Sequence, residues 1–310
     1  MNLAPNPDHL APAVLAPVAD DHHAELPGGL RLCYRSYGQP DGKPVLLIAG
    51  LGLQLTSWPR AFVDTFVAAG YRVIAPDNRD VGRSSSLRGR PPGKLQQLLR
   101  QAPPDSYALE DMADDMQHLL AHCGISSAHV VGMSMGGMIG QTLAARHPDA
   151  VLSLTSIFST TGAARVGGPA LSTMWRMARP APRTEDEAVA RYVSMMRHVG
   201  DPTAPDIEAV WSAYARSAWE RNGNRANAGG IGRQIGAIFK SGDRTALLQR
   251  VRARTLVIHG DVDRLVHPSG GHATAQAIKG AHHVTIRGMR HQIDTVRTPE
   301  LTRLILSHIW

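Results

Sequence analysis

Ser134 lies in Gly132-Met133-Ser134-Met135-Gly136, directly after the short apolar run Ala128-His129-Val130-Val131. A serine hydroxyl becomes a useful nucleophile only when a base takes its proton and donors meet the oxyanion it creates. A G-x-S-x-G pattern between a strand and a helix supplies the geometric part of that requirement. It sets the serine on a sharp turn with its hydroxyl exposed, and the glycines admit backbone that a Cβ would strike. The helix predicted from Gly136 to His147, stopped by Pro148, turns its positive end toward the serine. The same pentapeptide fits a plain strand-to-helix turn carrying an incidental serine, so its partners elsewhere in the chain decide between the two.

Active residues of open parallel sheets sit in loops beyond the carboxyl ends of strands. A strand predicted to end at His259 runs into Gly260-Asp261-Val262-Asp263, and one ending near Arg287 runs into Gly288-Met289-Arg290-His291-Gln292. The chain therefore supplies serine, acid and histidine in that order, each after a separate strand. In this scheme His291 takes the proton of Ser134 as it attacks an acyl carbonyl. Asp263 fixes the imidazole tautomer, and an acyl-enzyme forms and is released by water. Asp261 is the competing acid. His259, His267, His282 and His283 lie near the same loops and are expected to be surface or packing residues. The predicted oxyanion donors are the backbone N–H groups of Met135 and of Leu51, with Gly52 the alternative to Leu51. Each donor can lower the barrier by about 3 kcal/mol.

The elements that must position these residues are legible as alternation. Leu30 to Tyr37 has strand periodicity. Pro44–Ala49, Tyr71–Pro76, Ala128–Gly132, Val151–Ser156, Ala253–His259 and His283–Arg287 are short apolar runs of the kind buried on both faces of a parallel sheet. Helices are predicted between them at Trp58–Ala69, Leu109–His122, Gly271–Ile278 and Pro299–Trp310. From Thr160 to Leu247 the pattern holds only helical stretches, at Pro169–Ala178, Glu185–His198, Asp206–Trp219 and Gly230–Phe239. A helical insertion in a doubly wound α/β sheet accounts for this order. The aromatic and Met residues of the insertion, Trp175, Met177, Met195, Met196, Trp211, Tyr214 and Trp219, are expected to pack its helices together, with some lining a pocket.

Composition narrows the function classes. The 310 residues carry 33 Lys and Arg against 26 Asp and Glu, a formal charge of +7. The basic residues are scattered and not interleaved with aromatics, so nucleic-acid binding is not expected. No apolar run is long enough for a membrane span. Residues 1–26, rich in Ala, Pro, His and Asp, are expected to form a loosely ordered extension rather than an export signal, because two prolines interrupt Leu10–Pro17 and no basic leader precedes it. Cys33 and Cys123 have neither metal-ligand spacing nor an implied pairing. Two reduced thiols fit a cytoplasmic setting. No cofactor and no metal is called for, and the oligomeric state is not encoded in any motif.

From about residue 25 onward the chain resembles the α/β-hydrolase superfamily. The resemblance is carried by Gly132–Gly136, by Gly260-x-x-Asp263 with Pro268, by Gly288–His291, and by Asp77-Asn78-Arg79-Asp80-Val81-Gly82-Arg83-Ser84. The last segment is similar to a D-x-R-G-x-G-x-S stretch, with Asp80 at the position of the usual glycine. Together with Ile48–Gly52 and Trp58-Pro59, these motifs resemble the aclacinomycin methylesterase-like branch. The resemblance implies a doubly wound, mostly parallel sheet with a helical cap inserted after the sixth strand. The core would then be 27–159 and 248–310, and the cap 160–247. It also implies Ser134, Asp263 and His291 as the catalytic residues, the spacing favouring Asp263 over Asp261, and a small-molecule carboxylic ester as substrate, with a macrocyclic or polyketide methyl ester suggested by the branch. Where relatives carry His-Gly at the oxyanion loop, this chain has Ala49-Gly50. Two other functions share the pattern: carbon–carbon bond hydrolysis of ring-cleavage products, whose enzymes commonly have Trp after the histidine where Gln292 stands, and non-catalytic ligand binding on the same scaffold.

Overall fold

The computed structural model of the protein describes residues 20–205 and 207–310. Among these residues eight strands form one sheet: β1 (His22–Leu26), β2 (Leu30–Tyr37), β3 (Lys43–Ile48), β4 (Tyr71–Pro76), β5 (Ala128–Met133), β6 (Val151–Ile157), β7 (Arg254–Gly260) and β8 (His282–Ile286). Their spatial order is β1-β2-β4-β3-β5-β6-β7-β8. β1 and β2 run antiparallel at one edge, and every pairing from β4 to β8 is parallel. The chain steps from β3 outward to β4 and then returns to the other side of β3 as β5. The strand order therefore reverses between β3 and β5, where loops leaving the two carboxyl ends diverge and open a crevice.

Alternation along the central strands divides the core in two. Val45 and Leu47 of β3 face one layer, together with Val131 and Met133 of β5. Against them pack Phe62, Val63 and Phe66 of α1 (Arg60–Ala68) and Leu301, Ile305 and Ile309 of a C-terminal helix, Thr298–Ile309. Leu46, Ile48 and Val130 face the opposite layer. There α3 (Leu109–His122) and α4 (Met135–Arg146) bury Met112, Met116, Leu119, Ile139 and Leu143, while the short α2 (Lys94–Leu98) that precedes them has no buried residue. Apolar residues on both faces of each strand are what a sheet covered on two sides requires.

Between β6 and β7 come α5 (Leu171–Met177), α6 (Glu185–Val199), α7 (Ile207–Arg221), α8 (Ala228–Ser241) and α9 (Thr245–Leu248). α10 (Ser269–Ala277) then joins β7 to β8, and α11 (Thr298–Ile309) closes the chain. α6 and α7 build an apolar cluster of their own from Val189, Val193, Met196, Val199, Ile207, Trp211 and Ala215. α8 is divided in its allegiance. Its Ala237 is part of the core layer with α3, and Ser241 accepts the N–H of Leu109 at 2.8 Å.

Three expectations need correction. The extension predicted through residue 26 gives way at His22 to β1, whose Ala24 and Leu26 are buried while His22, His23 and Glu25 face outward. A five-residue edge strand with two apolar positions carries too little periodicity to be seen in a wider window. The remainder of that expectation, residues 1–19, lies outside the described residues, as does Asp206 at the start of the predicted Asp206–Trp219 helix. The short helices α2 and α9 were not predicted. Finally, Trp175 does not pack inside the insertion. It is 67% exposed, with the Arg179 guanidinium 4.9 Å from its ring, whereas Trp211 is buried as expected.

Candidate active site

Ser134 forms the turn from β5 into α4 with φ 55° and ψ −121°. This is a costly backbone for a residue with a Cβ, of order 1–3 kcal/mol, and persists only where the surroundings over-determine it. Here they do. The Ser134 N–H donates to Ile157 O at 2.9 Å at the end of β6, and its carbonyl accepts from Gly137 N–H at 2.9 Å and from Ser159 Oγ at 2.8 Å. The flanking glycines are sterically required. A Cβ at Gly132 would lie 2.2 Å from Gly136 O, and one at Gly136 would lie 2.0 Å from Ile48 O. The elbow is thus wedged against β3 at the switch point.

Asp263 and His291 are brought together. Asp263 Oδ2 is 2.7 Å from His291 Nδ1, and Oδ1 accepts the N–H groups of Leu265 at 2.8 Å and Val266 at 2.9 Å. Burial by itself would raise the Asp263 carboxyl. The charge and hydrogen bonds of His291 and His259 and the Val266 N–H outweigh it and hold the group well below the usual carboxylate range. The His291 ring lies 4.3 Å from that of Phe158, the residue after the Ile157 that anchors Ser134. No hydrogen bond joins Ser134 Oγ to His291 among the described residues. Asp261, the competing acid, instead accepts the Gly288 N–H at 2.6 Å, pinning the histidine loop to the acid loop.

In the loop after β3 the N–H groups of Leu51 and Gly52 have different surroundings. The Gly52 N–H is donated to Gln234 Oε1 at 2.8 Å. No protein acceptor among the described residues takes the N–H of Leu51 or of Met135. Gly50 is the point of closest approach: a Cβ there would lie 3.2 Å from Ser134 Cβ. Asn78 Nδ2 donates to Ala49 O at 3.0 Å, and Asp77 Oδ1 accepts the Leu55 N–H at 2.7 Å, so the loop is fastened at both ends.

The helices between β6 and β7 reach into these same loops. Val199 O at the end of α6 accepts the His291 N–H at 2.9 Å, and Arg290 donates to Gly200 O at 3.0 Å. From the end of α7, Arg221 donates to Asp77 Oδ2 at 2.6 Å, Asp21 Oδ2 at 2.5 Å and Gln54 Oε1 at 2.8 Å. Burial works against the Arg221 charge, but Asp77 and Asp21 more than compensate and raise its pKa. From α8, Arg233 grips Asp80 with Nη2–Oδ1 at 2.6 Å and Nε–Oδ2 at 3.0 Å. Asp80 has φ 72°, the left-handed conformation that explains why a glycine is usual at its position. Asp77 and Arg79 tie their loop in place. Arg79 is bidentate on Asp115, at 2.6 and 2.7 Å.

Sequence reasoning missed several of these residues. His259, expected as a surface or packing residue, is a fully buried packing residue, and what escaped is that its Nε2 lies 3.4 Å from Asp263 Oδ2. Gln234, Arg221 and Arg233 carried no signal, because their partners lie more than 140 residues away in the chain. Among the described residues no His, Cys, Asp and Glu group is arranged to hold a metal ion, and no helix is long and apolar enough to cross a membrane.

Comparison with known proteins agrees with this architecture. Residues 43–293 match the family model for the alpha/beta hydrolase fold. The chain is 30% identical over 294 residues to the rhodomycin D methylesterase DnrP of Streptomyces peucetius, covering 87% of this chain and 92% of that protein. It is 28% identical over 304 residues to the rhodomycin D methylesterase DauP of Streptomyces sp. strain C5, with the same coverage. Among solved structures, the enol-lactonase of Burkholderia xenovorans LB400 superposes with a TM-score of 0.71 at 22% identity, covering 93% of this chain and 99% of that one. The esterase RhEst1 of Rhodococcus sp. ECU1013 gives 0.70 at 22%, with the same coverage. At such identities the structures share the fold. The protein belongs to the α/β-hydrolase family, and its likeness to the methylesterases matches the aclacinomycin methylesterase-like branch resembled by its motifs.

Proposed function

We propose that the protein is a serine hydrolase of small-molecule carboxylic esters, working through an acyl-enzyme on Ser134. The observation that carries this is the strained Ser134 backbone at the β3/β5 switch point, on the same sheet end as the Asp263–His291 pair. His291 Nε2 takes the Ser134 proton as Oγ attacks the carbonyl carbon. Asp263, held ionised, keeps the proton on Nδ1 and stabilises the imidazolium. The oxyanion is received by the N–H groups of Leu51 and Met135, Gly52 being engaged with Gln234. His291 then gives its proton to the leaving alcohol. It next deprotonates a water that attacks the acyl carbon, and Ser134 regains its hydrogen as the acid departs. The names of the methylesterase relatives favour a methyl ester, whose leaving group would be methanol. The helices within 160–247 act as a cap over this site, since α6, α7 and α8 all bind loops that carry its residues.

The test is hydrolysis of p-nitrophenyl acetate and butyrate by the wild type and by Ser134→Ala, with mass spectrometry of a fluorophosphonate adduct. Labelling of Ser134 and loss of turnover by about 10³-fold or more in Ser134→Ala are expected. Equal turnover in both proteins would overturn the proposal. A folded wild type that neither labels nor turns over esters would favour ligand binding without catalysis.

A further inference from the structure

Gln234 lies on α8 with no exposed surface. Its Oε1 accepts the Gly52 N–H at 2.8 Å and its Nε2 donates to Arg79 O at 2.8 Å. The assignment of the amide is forced. A flipped side chain would set N–H against N–H and oxygen against carbonyl oxygen, leaving all of these groups unpaired in a dry site. The bond falls one residue from Leu51, in a turn so short that the Leu53 N–H closes onto Gly50 O at 3.1 Å. Gly52 has φ +68°, and a Cβ there would lie 3.0 Å from Ile231 of the same helix, so the loop and α8 are in direct contact. In such a turn the direction of the Leu51 N–H follows from where the next peptide is held.

We infer that Gln234 is a positioning residue for the oxyanion donor: a cap side chain that, by engaging Gly52, aims the Leu51 N–H at the carbonyl under attack. This rests on the assignment of Leu51 proposed above. It follows that the oxyanion site is complete only while α8 is seated on the core, so cap docking and rate are coupled through one amide. Misplacement of an oriented group by about 1 Å can cost on the order of 100-fold in rate, and binding of the ester's remote parts is untouched. The effect should therefore fall on kcat and leave KM nearly unchanged.

Three variants separate positioning from general loosening. Gln234→Leu frees Gly52 and should lower kcat about 10- to 100-fold with KM changed by about twofold or less. Asp80→Gly leaves the Gln234 side chain in place and removes the carboxylate that holds Arg233 of the same helix, the Tyr107 hydroxyl and the Leu87 N–H, and its φ suits glycine. It should lower thermal stability without a comparable fall in kcat. Gln234→Glu is isosteric, and only its protonated form can both accept from Gly52 and donate to Arg79 O. Its kcat relative to wild type should therefore rise as pH falls. Fluorophosphonate labelling rates and Ser134→Ala are run alongside. Wild-type-like turnover in Ser134→Ala would defeat the ester reading itself. With that reading intact, wild-type kcat and labelling in Gln234→Leu, or equal losses in Gln234→Leu and Asp80→Gly, would overturn the role of Gln234. If Gln234→Leu does not fold, a pH-independent ratio for Gln234→Glu would do the same.

Discussion

The imidazole of His259 is shared between two acceptors. Its Nε2 lies 2.9 Å from Val266 O and 3.4 Å from Asp263 Oδ2, the same oxygen that receives His291. His259 therefore gives Asp263 Oδ2 a second imidazole neighbour beside His291. A Cβ at Gly271 would lie 2.6 Å from His259 Nδ1, so the ring occupies space that only a glycine there leaves open. Hydrogen bonds to charged groups contribute about 1.5–3 kcal/mol when well formed, and this one is long. His259→Phe is expected to lower kcat about fivefold to tenfold, measured by steady-state ester hydrolysis. An unchanged kcat would show that Asp263 is held by its backbone donors and His291 without help.

Asp263→Asn keeps the shape of the acid but supplies an amide that can present its N–H to Nδ1. The imidazole then carries its proton on the wrong nitrogen. A loss of kcat near 10⁴-fold is expected on the pattern of Ser-His-Asp hydrolases, with the folded state retained by circular dichroism.

Glycine substitutions should divide by what surrounds them. At Gly136 a methyl would meet Ile48 O at 2.0 Å, so Gly136→Ala must displace β3 or the elbow. It is expected to cost more than about 4 kcal/mol or to abolish soluble expression. Gly124, at φ +69°, has open space around it, and Gly124→Ala should cost only about 1–2 kcal/mol, the penalty of the left-handed backbone. Urea denaturation of both variants measures the difference.

Arg221→Met would strand Asp77, which has no exposed surface. Removing one partner of a buried ion pair typically costs about 3–5 kcal/mol. The loss should appear as a lowered denaturant midpoint, and a variant as stable as the wild type would mean that the Leu55 and Arg83 N–H groups suffice for Asp77.

Acid should weaken the same junction. Burial tends to raise the Asp21 carboxyl, but Arg35 and Arg221 prevail and lower it from 3.8 to about 2. A carboxylate depressed on folding contributes stability above its unfolded pKa and loses it as pH falls through the folded value. The stability gap between wild type and Asp21→Asn should be full above about pH 4 and close toward pH 2. A gap that is constant across that range would remove Asp21 from the account.

The parallel strands, α3 and the Ser134 elbow were legible because each is encoded locally, in apolar runs, in 3.6-residue periodicity and in glycines set by close approach. Leu109–His122 has the predicted bounds, and it buries Leu109, Met112, Ala113, Met116, Leu119 and Leu120 at helical spacing. The rule that puts active residues beyond strand ends singled out His291 with Asp261 or Asp263, and only the family spacing pointed to Asp263, the one in contact. What escaped was long-range and polar. The engagement of Gly52 by Gln234 is one such contact, since no local pattern marks a glutamine in a helix as the partner of a glycine 182 residues earlier. β1 escaped for the opposite reason: it is local but too short, and pairing with β2 rather than its own periodicity makes it a strand.

The ion pair between Asp21 and Arg221 joins residues 200 positions apart. On a ribosome adding about 5–20 residues per second, Asp21 would wait some 10–40 s for its partner to be made. Throughout that interval β1 and β2 can already pair, but among the described residues the carboxylate of Asp21, just before β1, has only Arg35 and Arg83 to face. The seating of α7 on the sheet edge thus waits on its own synthesis, with β7, β8 and α11 of the same core still to be made after it.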